Sequence, residues 1–246
     1  MNDLERDEHN RAYYDDFSDG YERGRGIGYH RLLDELEMQV VEPLARGKRV
    51  LEVGCGTGLI LGRLASCAAH ACGVDLSPGM LRVARARGLD VVVGSATSLP
   101  YPDASFELVC SFKVLAHVPD ITRALAEIAR VTRPGGTMVL EFYNPWSLRF
   151  LAKRAAGPQP ISEDRTEADV FTRWDSPLAV RNLLPAHVEL IDFRGVRVLT
   201  PAAFVHNLPL VGHALSIAER RAVSSPLRYF GGFLIALARK RDGALD

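Results

Sequence analysis

The sequence predicts a doubly wound α/β fold, and three observations support this prediction. From residue 49 onward, short apolar runs alternate with segments of helical periodicity. The apolar runs are nearly continuous, which is typical of strands covered on both faces of a parallel sheet. Glycines crowd the junction between the first run and the first helix, in LEVGCGTGLI at 51–60. A chain places glycines this densely where its backbone turns sharply or something approaches it closely.

Four apolar runs and the breakers between them predict the first half of the sheet. The predicted strands are 49–53, 70–76, 90–94 and 105–112. A helix starts directly after the glycines, at LILGRLA. The next helix follows the second strand: Ser77 can cap it, Pro78 suits its first position and Gly88 ends it.

The second half predicts one more parallel strand and a late pair of long strands. These strands are 137–143, 187–199 and 229–241. Before them, Asp120 caps a helix with a clear apolar face, and Pro134-Gly135-Gly136 is expected to end that helix. A helical insert at 201–222 separates the last two strands.

Two outer regions do not follow this alternation. Residues 1–47 hold an aromatic, acidic segment and then an amphipathic helix, which we expect to form an N-terminal flap. The main domain is expected to be 48–246, with 144–186 and 199–222 as insertions that form a lid. The first insertion contains two predicted helices divided by GPQP.

Composition excludes several classes of function. The formal net charge is zero, with 47% apolar and 24% charged residues, values typical of a soluble enzyme and not of a nucleic-acid-binding protein. The N-terminal MNDLERDEHNR is acidic and polar, unlike a signal peptide. The uncharged segment 199–218 is interrupted by prolines, glycine and histidines, so no transmembrane segment is expected. These features predict a cytoplasmic protein.

The cysteines predict neither disulfides nor a metal site. Cys55, Cys67, Cys72 and Cys110 lie in predicted core elements without a pairing pattern. Together with His70, two of them offer only three metal ligands at cramped spacing, so buried thiols are the better interpretation. Nothing in the sequence suggests the carboxylate cluster of a magnesium-assisted catechol site. We therefore expect no metal.

The glycine-rich junction predicts a nucleotide-ligand site. Such a turn between a strand and a helix presents backbone N–H groups and the positive end of a helix to a ligand. Gly54, Gly56 and Gly58 alternate here, and Leu59 stands where the dinucleotide pattern G-x-G-x-x-G requires a small residue. Asp75 ends the second strand about twenty residues later, where a carboxylate can bind both hydroxyls of a ribose.

The order of the remaining motifs carries a family resemblance. GSATSLPYPDASFELV lies at the third strand, SFKVLAHVPD follows the fourth, and ARVTRPGGTMVLEFYNP leads into the fifth. From Tyr13 to Arg149, the series resembles the class I S-adenosylmethionine-dependent methyltransferases. The nearest branch is that of ubiquinone and menaquinone biosynthesis and its small-molecule relatives. The resemblance implies a Rossmann-like, seven-stranded, mostly parallel sheet with an antiparallel last strand.

The resemblance also implies which residues hold S-adenosylmethionine. They are Glu52, Gly54, Cys55, Gly56, Gly58, Asp75, Leu76, Met80, Ser95, Ala96, Phe112 and Lys113. The loop would lie beside the methionine end, Asp75 would bind the ribose, and Leu76 and Met80 would pack on the adenine. Ser95 stands at the adenine edge, where the family usually has an acid, so this contact is weaker or different. Phe112 and Lys113 would line the boundary with the acceptor, the molecule that receives the methyl group.

The N-terminal aromatic segment has two interpretations. By resemblance, Tyr14, Tyr21 and Arg23 would belong to a flap that folds over the bound cofactor. In the other interpretation, the tyrosines simply pack on a surface helix.

Methyl transfer from a sulfonium depends more on alignment in a dry pocket than on acid catalysis. A base helps where the acceptor begins protonated, as a phenol does with a pKa of about 10. His117 lies just past the fourth strand and is the candidate catalytic residue, as a base or an acceptor-orienting group; the alternative is a purely structural turn. The other groups expected on the acceptor side are Tyr143, Asn144, Trp146, Trp174 and His206.

The uncharged segment 199–218 requires a partner surface. It is expected to form a buried helix pair or a homodimer contact, or to cap an apolar acceptor such as a quinone, polyketide or lipid. The predicted function is O- or C-methylation of a small apolar or aromatic acceptor. Two alternatives stay open: an NAD(P)-dependent oxidoreductase, disfavoured by the glycine spacing, and a non-catalytic relative that keeps the cofactor fold.

Overall fold

In the computed structural model, a central β-sheet positions the candidate site. The structure describes residues 11, 12, 15, 18, 22, 28–157, 160–162, 165–166 and 171–243. The strands are β1 (Arg49–Val53), β2 (His70–Asp75), β3 (Asp90–Val93), β4 (Phe106–Ser111), β5 (Thr132–Tyr143), β6 (Pro160–Ser162), β7 (Arg165–Thr166), β8 (Val188–Val196) and β9 (Phe233–Lys240). Strands β6 and β7 form a separate small hairpin.

The main sheet has seven strands in the order β3-β2-β1-β4-β5-β9-β8. Strands β1 to β5 pair in parallel, whereas β9 runs antiparallel to both of its neighbours. This arrangement confirms the predicted Rossmann-like, mostly parallel sheet with an antiparallel last strand. The connections reverse direction between β1 and β4, and ligands bind at the carboxyl ends of strands at such a switch point.

Helices cover both faces of the sheet. They are α1 (Gly28–Ala45), α2 (Leu59–Ala65), α3 (Pro78–Ala86), α4 (Ile121–Val131), α5 (Leu148–Ala156), α6 (Pro177–Leu183) and α7 (Pro209–Ala222). Short 3-10 turns lie at Leu115–His117, Ala203–Asn207 and Pro226–Phe230. The predicted caps are confirmed, because the Ser77 hydroxyl accepts from the backbone N–H of Met80 and the Asp120 carboxylate accepts from that of Arg123.

Two hydrophobic cores explain why the strands read as continuous apolar runs. Successive residues of β1 enter opposite cores: Leu51 and Val53 pack with α4 and α6, whereas Val50 packs with α1 and α2. The same alternation continues in β5, where Leu140 joins the first core and Val139 joins the second. A strand buried on both faces has no polar face to alternate with.

The end of α4 differs from the prediction. The helix ends at Val131, and β5 begins at once with Thr132, so Pro134-Gly135-Gly136 lies inside the strand. Thr132 already has an extended backbone, and its hydroxyl donates to the carbonyl of Ile128 at 2.6 Å. Between Phe106 and Leu108 the pairing of β4 with β5 shifts register, which accommodates the Pro-Gly-Gly residues as an irregularity in the sheet.

The two outer regions contain the predicted helices and one further element. The helices on either side of GPQP are α5 and α6, and the insert at 201–222 consists of a 3-10 turn and α7. The β6–β7 hairpin between α5 and α6 was not predicted. The division into a flap, a main domain and insertions stays a prediction.

Candidate active site

A cavity lies at the carboxyl ends of β1, β2 and β4, where the connections change direction. Most residues predicted to hold a cofactor line it, and His117 lies at the same cavity. The predicted residues that line it are Glu52, Gly54, Cys55, Gly56, Asp75, Leu76, Met80, Ser95, Ala96, Phe112 and Lys113. Gly58 is an exception: it caps α2, and an added Cβ would lie 2.3 Å from Leu89 Cδ1.

The glycine loop brings its backbone close to the cavity. Gly54 has φ +76° and donates its N–H to the Val74 carbonyl at 2.7 Å. A Cβ at this position would lie 2.1 Å from Cγ2 of Val114, so a larger residue does not fit. Gly56 also has a positive φ, but nothing lies within 4 Å of an added Cβ. The open space beside Gly56 therefore belongs to the cavity, not to a protein neighbour.

Asp75 is held in place by backbone donors at the cavity wall. Its Oδ2 accepts from Gly56 N at 2.8 Å, and its Oδ1 accepts from Ser77 N at 2.9 Å. Burial raises the pKa of this carboxyl, while the backbone hydrogen bonds act in the opposite direction. Each carboxylate oxygen can accept a further bond. Asp75 can therefore bind two hydroxyls of a ligand.

Glu52 places a buried carboxyl group beside the loop. The side chain is buried, and within the described part of the chain its Oε2 has no hydrogen-bond partner. Burial raises its pKa well above the ordinary value, and the negative charge of Glu37 raises it further. A cationic ligand group in the cavity would supply the missing partner and favour the ionised carboxylate.

An ion-pair cluster that was not predicted connects α1 to the cavity. Lys113 follows β4 with φ +60°, and its Nζ lies 3.1 Å from Asp34 Oδ1 and 2.7 Å from Glu37 Oε1. Its backbone N–H donates to Glu141 Oε1 at 3.1 Å. Burial disfavours the ammonium charge, but Glu37 and Asp34 outweigh burial and raise the pKa of Lys113. Asp34 and Glu37 line the cavity, so most of its charged side chains are acidic.

The predicted flap residues Tyr14, Tyr21 and Arg23 lie outside the described residues. Two residues close to them in the sequence, Asp15 and Glu22, are described and contact the rim of the site. Asp15 Oδ1 accepts from Gly79 N at 2.9 Å and from the Ser77 hydroxyl. Glu22 pairs with Arg87 at 2.6 Å, and Arg87 also donates to the Thr57 carbonyl of the glycine loop. Asp15 and Glu22 therefore contact the two ends of α3, and Arg87 connects Glu22 to the loop.

His117 lies on the other side of the cavity, in a defined orientation. Its Nδ1 lies 2.9 Å from the Phe171 carbonyl oxygen, and its Nε2 lies 3.4 Å from the Tyr143 hydroxyl. A carbonyl only accepts hydrogen bonds, so Nδ1 carries the proton and Nε2 keeps the lone pair. Burial lowers the pKa of the ring.

The structure brings only part of the predicted acceptor side together. Tyr143 contacts His117, and its ring centroid lies 5.5 Å from that of Trp174. Asn144 does not reach the cavity, because its side-chain amide donates to the carbonyls of Tyr229 and Gly231 at 2.8 and 3.0 Å. Trp146 is 52% exposed.

His206 lies beside α1. Its ring centroid is 5.6 Å from that of Tyr29, and its Nε2 lies 3.0 Å from the Thr200 hydroxyl. Burial lowers the pKa of His206. The residue is near the same end of the sheet as the cavity but does not line it.

A comparison with known families matches the region that builds this site. The model of a methyltransferase domain matches residues 51–140, from the glycine loop into β5. Asp75 and His117 both lie within that range. This region is therefore similar to a methyltransferase domain, in agreement with the resemblance seen in the sequence. The oxidoreductase alternative is not favoured by these matches.

The curated relatives of the chain include two methyltransferases. A demethylmenaquinone methyltransferase of Clavibacter sepedonicus is 35% identical over 143 residues, 54% of this chain and 58% of that protein. A malonyl-[acyl-carrier protein] O-methyltransferase of Halorhodospira halophila is 39% identical over 49% of this chain and 42% of that protein. The matched region thus spans about half the length of these relatives.

Solved structures of methyltransferases share the fold over nearly the whole chain. A Thermotoga maritima methyltransferase matches with a TM-score of 0.67 and 23% identity, covering 94% of this chain and 99% of that one. A Burkholderia thailandensis 1,6-didemethyltoxoflavin N1-methyltransferase, solved with S-adenosylhomocysteine, matches with a TM-score of 0.63 and 18% identity. That match covers 98% of this chain and 92% of the other.

The uncharged insert at 201–222 is largely exposed. Leu210 is 88% exposed and Phe204 is 68% exposed. The expectation of a buried helix pair is therefore wrong for these side chains, because they project away from the sheet. Within the described ranges, no helix combines the length and apolar character needed to cross a bilayer.

The four cysteines are free thiols. Among the described residues, one group has metal-ligating atoms within 4.8 Å of one another: His70, Cys72 and Asp90. It differs from the cluster considered in the sequence, since Asp90 replaces Cys67. The reason is the register of the sheet, which pairs Cys72 with Asp90 across β2 and β3.

Proposed function

We propose that the protein transfers the methyl group of S-adenosylmethionine to an oxygen or carbon atom of a small apolar or aromatic acceptor. One observation carries this proposal. The glycine loop, Asp75 and the buried carboxyl group of Glu52 meet in one cavity at the switch point of the sheet. Those residue types suit S-adenosylmethionine, which combines a cationic amino acid end with a ribose and a base.

The residues present fit this cofactor. Asp75 has a free acceptor site on each oxygen for a ribose hydroxyl. Glu52 offers a buried carboxylate oxygen without a protein partner to an ammonium group. Leu76 and Met80 supply apolar surface for a base, and Ser95 supplies a hydroxyl at its edge. When bound there, S-adenosylmethionine supplies a methyl group on a positively charged sulfur.

The acidic wall of the cavity would favour that positive charge. Asp34, Glu37 and Glu52 all line the cavity, and Lys113 neutralises only part of their combined charge. A negative charge stabilises a nearby cation more strongly in a water-poor site than in bulk water, because water screens the interaction. Glu52, whose pKa is raised by burial, would ionise as the cation binds beside it.

His117 would take the proton of a protonated acceptor. Its proton on Nδ1 is held by the Phe171 carbonyl, which leaves Nε2 as the basic nitrogen. The lowered pKa keeps the ring neutral at pH 7, so Nε2 can accept a proton directly or through the Tyr143 hydroxyl. This role suits a phenol or an enol better than an acceptor that is already nucleophilic.

The similar curated proteins guide the choice of acceptors. The two relatives described above are named as methyltransferases of demethylmenaquinone and of malonyl-[acyl-carrier protein]. Quinols, phenols and polyketide-like compounds therefore form the first panel. We also propose that the exposed apolar surface of α7 permits a homodimer, which light scattering on the purified protein would test.

The decisive experiment combines binding with transfer. The purified chain is titrated with S-adenosylhomocysteine and, separately, with NADH, and then incubated with methyl-labelled S-adenosylmethionine and the panel. We expect binding of S-adenosylhomocysteine but not NADH, and labelled product from at least one acceptor. Asp75→Asn should weaken both signals about tenfold or more, whereas Asp90→Asn, at the opposite end of β2 and β3, should retain them. Binding of NADH alone would refute the proposal.

A further inference from the structure

Arg149, in the first turn of α5, is a buried cation enclosed by aromatic rings. Only 7% of the residue is exposed. Its Cζ lies 4.1 Å from the ring centroid of Tyr143, 4.6 Å from that of Phe233 and 5.0 Å from that of Trp174. Rings stabilise a guanidinium through their electron-rich faces, but they accept none of its N–H bonds in the way a carboxylate does.

No anion accompanies this cation in the described part of the chain. Arg149 forms no ion pair there, and its Nη1 is buried without a hydrogen-bond partner. Glu141 is near enough for the charge of Arg149 to oppose the rise of its pKa, but no hydrogen bond joins the two side chains. A buried guanidinium with an unused donor is costly in isolation, so an anion supplied from outside the protein would be bound favourably.

A second arginine lies beside the first. An added Cβ on Gly232 would come within 3.1 Å of the Arg149 stem and 3.3 Å of Arg197 Cδ, so the two side chains flank the same glycine. Burial lowers the pKa of Arg197, and the like charge of Arg149 lowers it further. Arg197 donates to the carbonyls of Thr200 and Pro201 and forms no ion pair among the described residues.

The carboxylate whose charge acts on Arg197 is already occupied. Glu219 is fully buried and accepts from the backbone N–H groups of Val198, Leu199 and Thr200. It also accepts from the Thr200 hydroxyl at 2.6 Å. Glu219 therefore binds the backbone of the loop after β8. Neither arginine has an anionic partner among the described residues.

The arginine pair is adjacent to the cavity. Tyr143 contacts Arg149 with its ring, and its hydroxyl lies 3.4 Å from His117 Nε2. His117 lines the cavity. The strand ends that carry Tyr143 and Phe233 pair with each other at this edge of the sheet. One aromatic side chain thus separates the arginine pair from the place of methyl transfer.

From this arrangement we infer that the acceptor carries a carboxylate, separate from the atom that receives the methyl group, which Arg149 binds with the help of Arg197. The inference rests on the proposed function and specifies its acceptor class. The charges of the site are then divided by role. Carboxylates surround the cationic methyl donor, and guanidinium groups hold the anionic acceptor opposite it.

The test compares two probes of the same shape, naphthoate and naphthamide, titrated into the protein saturated with S-adenosylhomocysteine. We expect naphthoate to bind at least about tenfold tighter, as a charge-assisted hydrogen bond predicts. Arg149→Gln should abolish that preference, and Arg149→Lys, which keeps the charge, should retain part of it. Arg154→Gln is the matched control, because Arg154 lies on the same helix and is exposed.

Each outcome of this test either supports or overturns the inference. Equal binding of the two probes to the wild type, no binding of either, or an unchanged preference in Arg149→Gln would overturn the inference. If Arg149→Gln does not fold, the wild-type comparison and Arg197→Gln, which should weaken the preference, carry the test. A protein that binds S-adenosylhomocysteine but shows no preference for naphthoate refutes only the acceptor class. A protein that fails to bind S-adenosylhomocysteine refutes the proposed function itself.

Discussion

Replacing glycines one at a time separates backbone strain, steric conflict and ligand approach at the loop. Gly47, Gly54 and Gly56 all have positive φ, so alanine at any of them is strained. An added Cβ meets nothing within 4 Å at Gly47 or Gly56, but it meets Val114 at 2.1 Å at Gly54. Of these three positions, only Gly54 and Gly56 line the cavity.

The expected magnitudes follow from these differences. Alanine in the left-handed region costs about 1–2 kcal/mol, of which stiffening of the unfolded chain returns about 0.4–1 kcal/mol. Gly47→Ala and Gly56→Ala should therefore each lower the free energy of unfolding by about 1 kcal/mol. Gly54→Ala adds a clash in a packed region, worth about 1–3 kcal/mol more.

The affinity for S-adenosylhomocysteine should rank the three variants differently from their stability. The methyl group of Gly56→Ala enters the open space that we assign to the ligand, so the affinity for S-adenosylhomocysteine should fall at least about tenfold, or about 1.4 kcal/mol. Gly47→Ala should bind as the wild type does. Urea denaturation measures the stabilities and isothermal titration the affinities. If Gly56→Ala and Gly47→Ala bind equally well, the loop does not contact the ligand.

Three further predictions concern single side chains. Asp75→Asn should weaken S-adenosylhomocysteine binding about tenfold or more by calorimetry, since a charge-assisted bond is lost; an effect equal to that of Asp90→Asn would contradict this. His117→Gln should lower kcat on the best acceptor at least about 100-fold with cofactor affinity unchanged. Because burial lowers the His117 pKa and the neutral ring is the base, the wild-type rate should fall only in acid, with a midpoint below 6.5. Glu22→Gln should raise KM for S-adenosylmethionine about threefold by loosening the N-terminal segment, a surface-pair effect, whereas a similar rise in Glu42→Gln would make the effect nonspecific.

Local signals in the sequence were enough to predict many of the residues that line the cavity. The glycines, the acid at the end of β2 and the caps at Ser77 and Asp120 each depend on neighbours a few residues away. The switch point follows once parallel strands are recognised, because crossovers bring those strand ends together. Accordingly, the loop and Asp75 meet as predicted.

Contacts between distant segments could not be predicted in this way. Lys113 pairs with Glu37 across 76 residues, and only the packing of α1 on the sheet brings them together. An inward-facing acid on an amphipathic helix was the available signal, and Glu37 lies within such a helix. Arg149 was missed for a related reason, since its three rings come from separate parts of the chain.

Asn144 shows how a polar residue at a strand end can mislead. The same pattern arises whether the side chain faces a ligand or bridges backbone groups. Here its amide satisfies two carbonyls before β9, and its Oδ1 accepts from Trp146 N at 3.1 Å. Deciding between the two roles requires knowing which loop lies opposite, and that depends on how β9 pairs with β5.

The central claim is that the cavity at the ends of β1, β2 and β4 binds S-adenosylmethionine. Its most direct test is a crystal structure of the chain grown with S-adenosylhomocysteine. We predict ligand density beside Gly56, with the ribose hydroxyls on the Asp75 carboxylate and the amino group near Glu52. A ligand bound elsewhere, or a cavity closed by protein side chains while the protein demonstrably binds the compound, would contradict the claim.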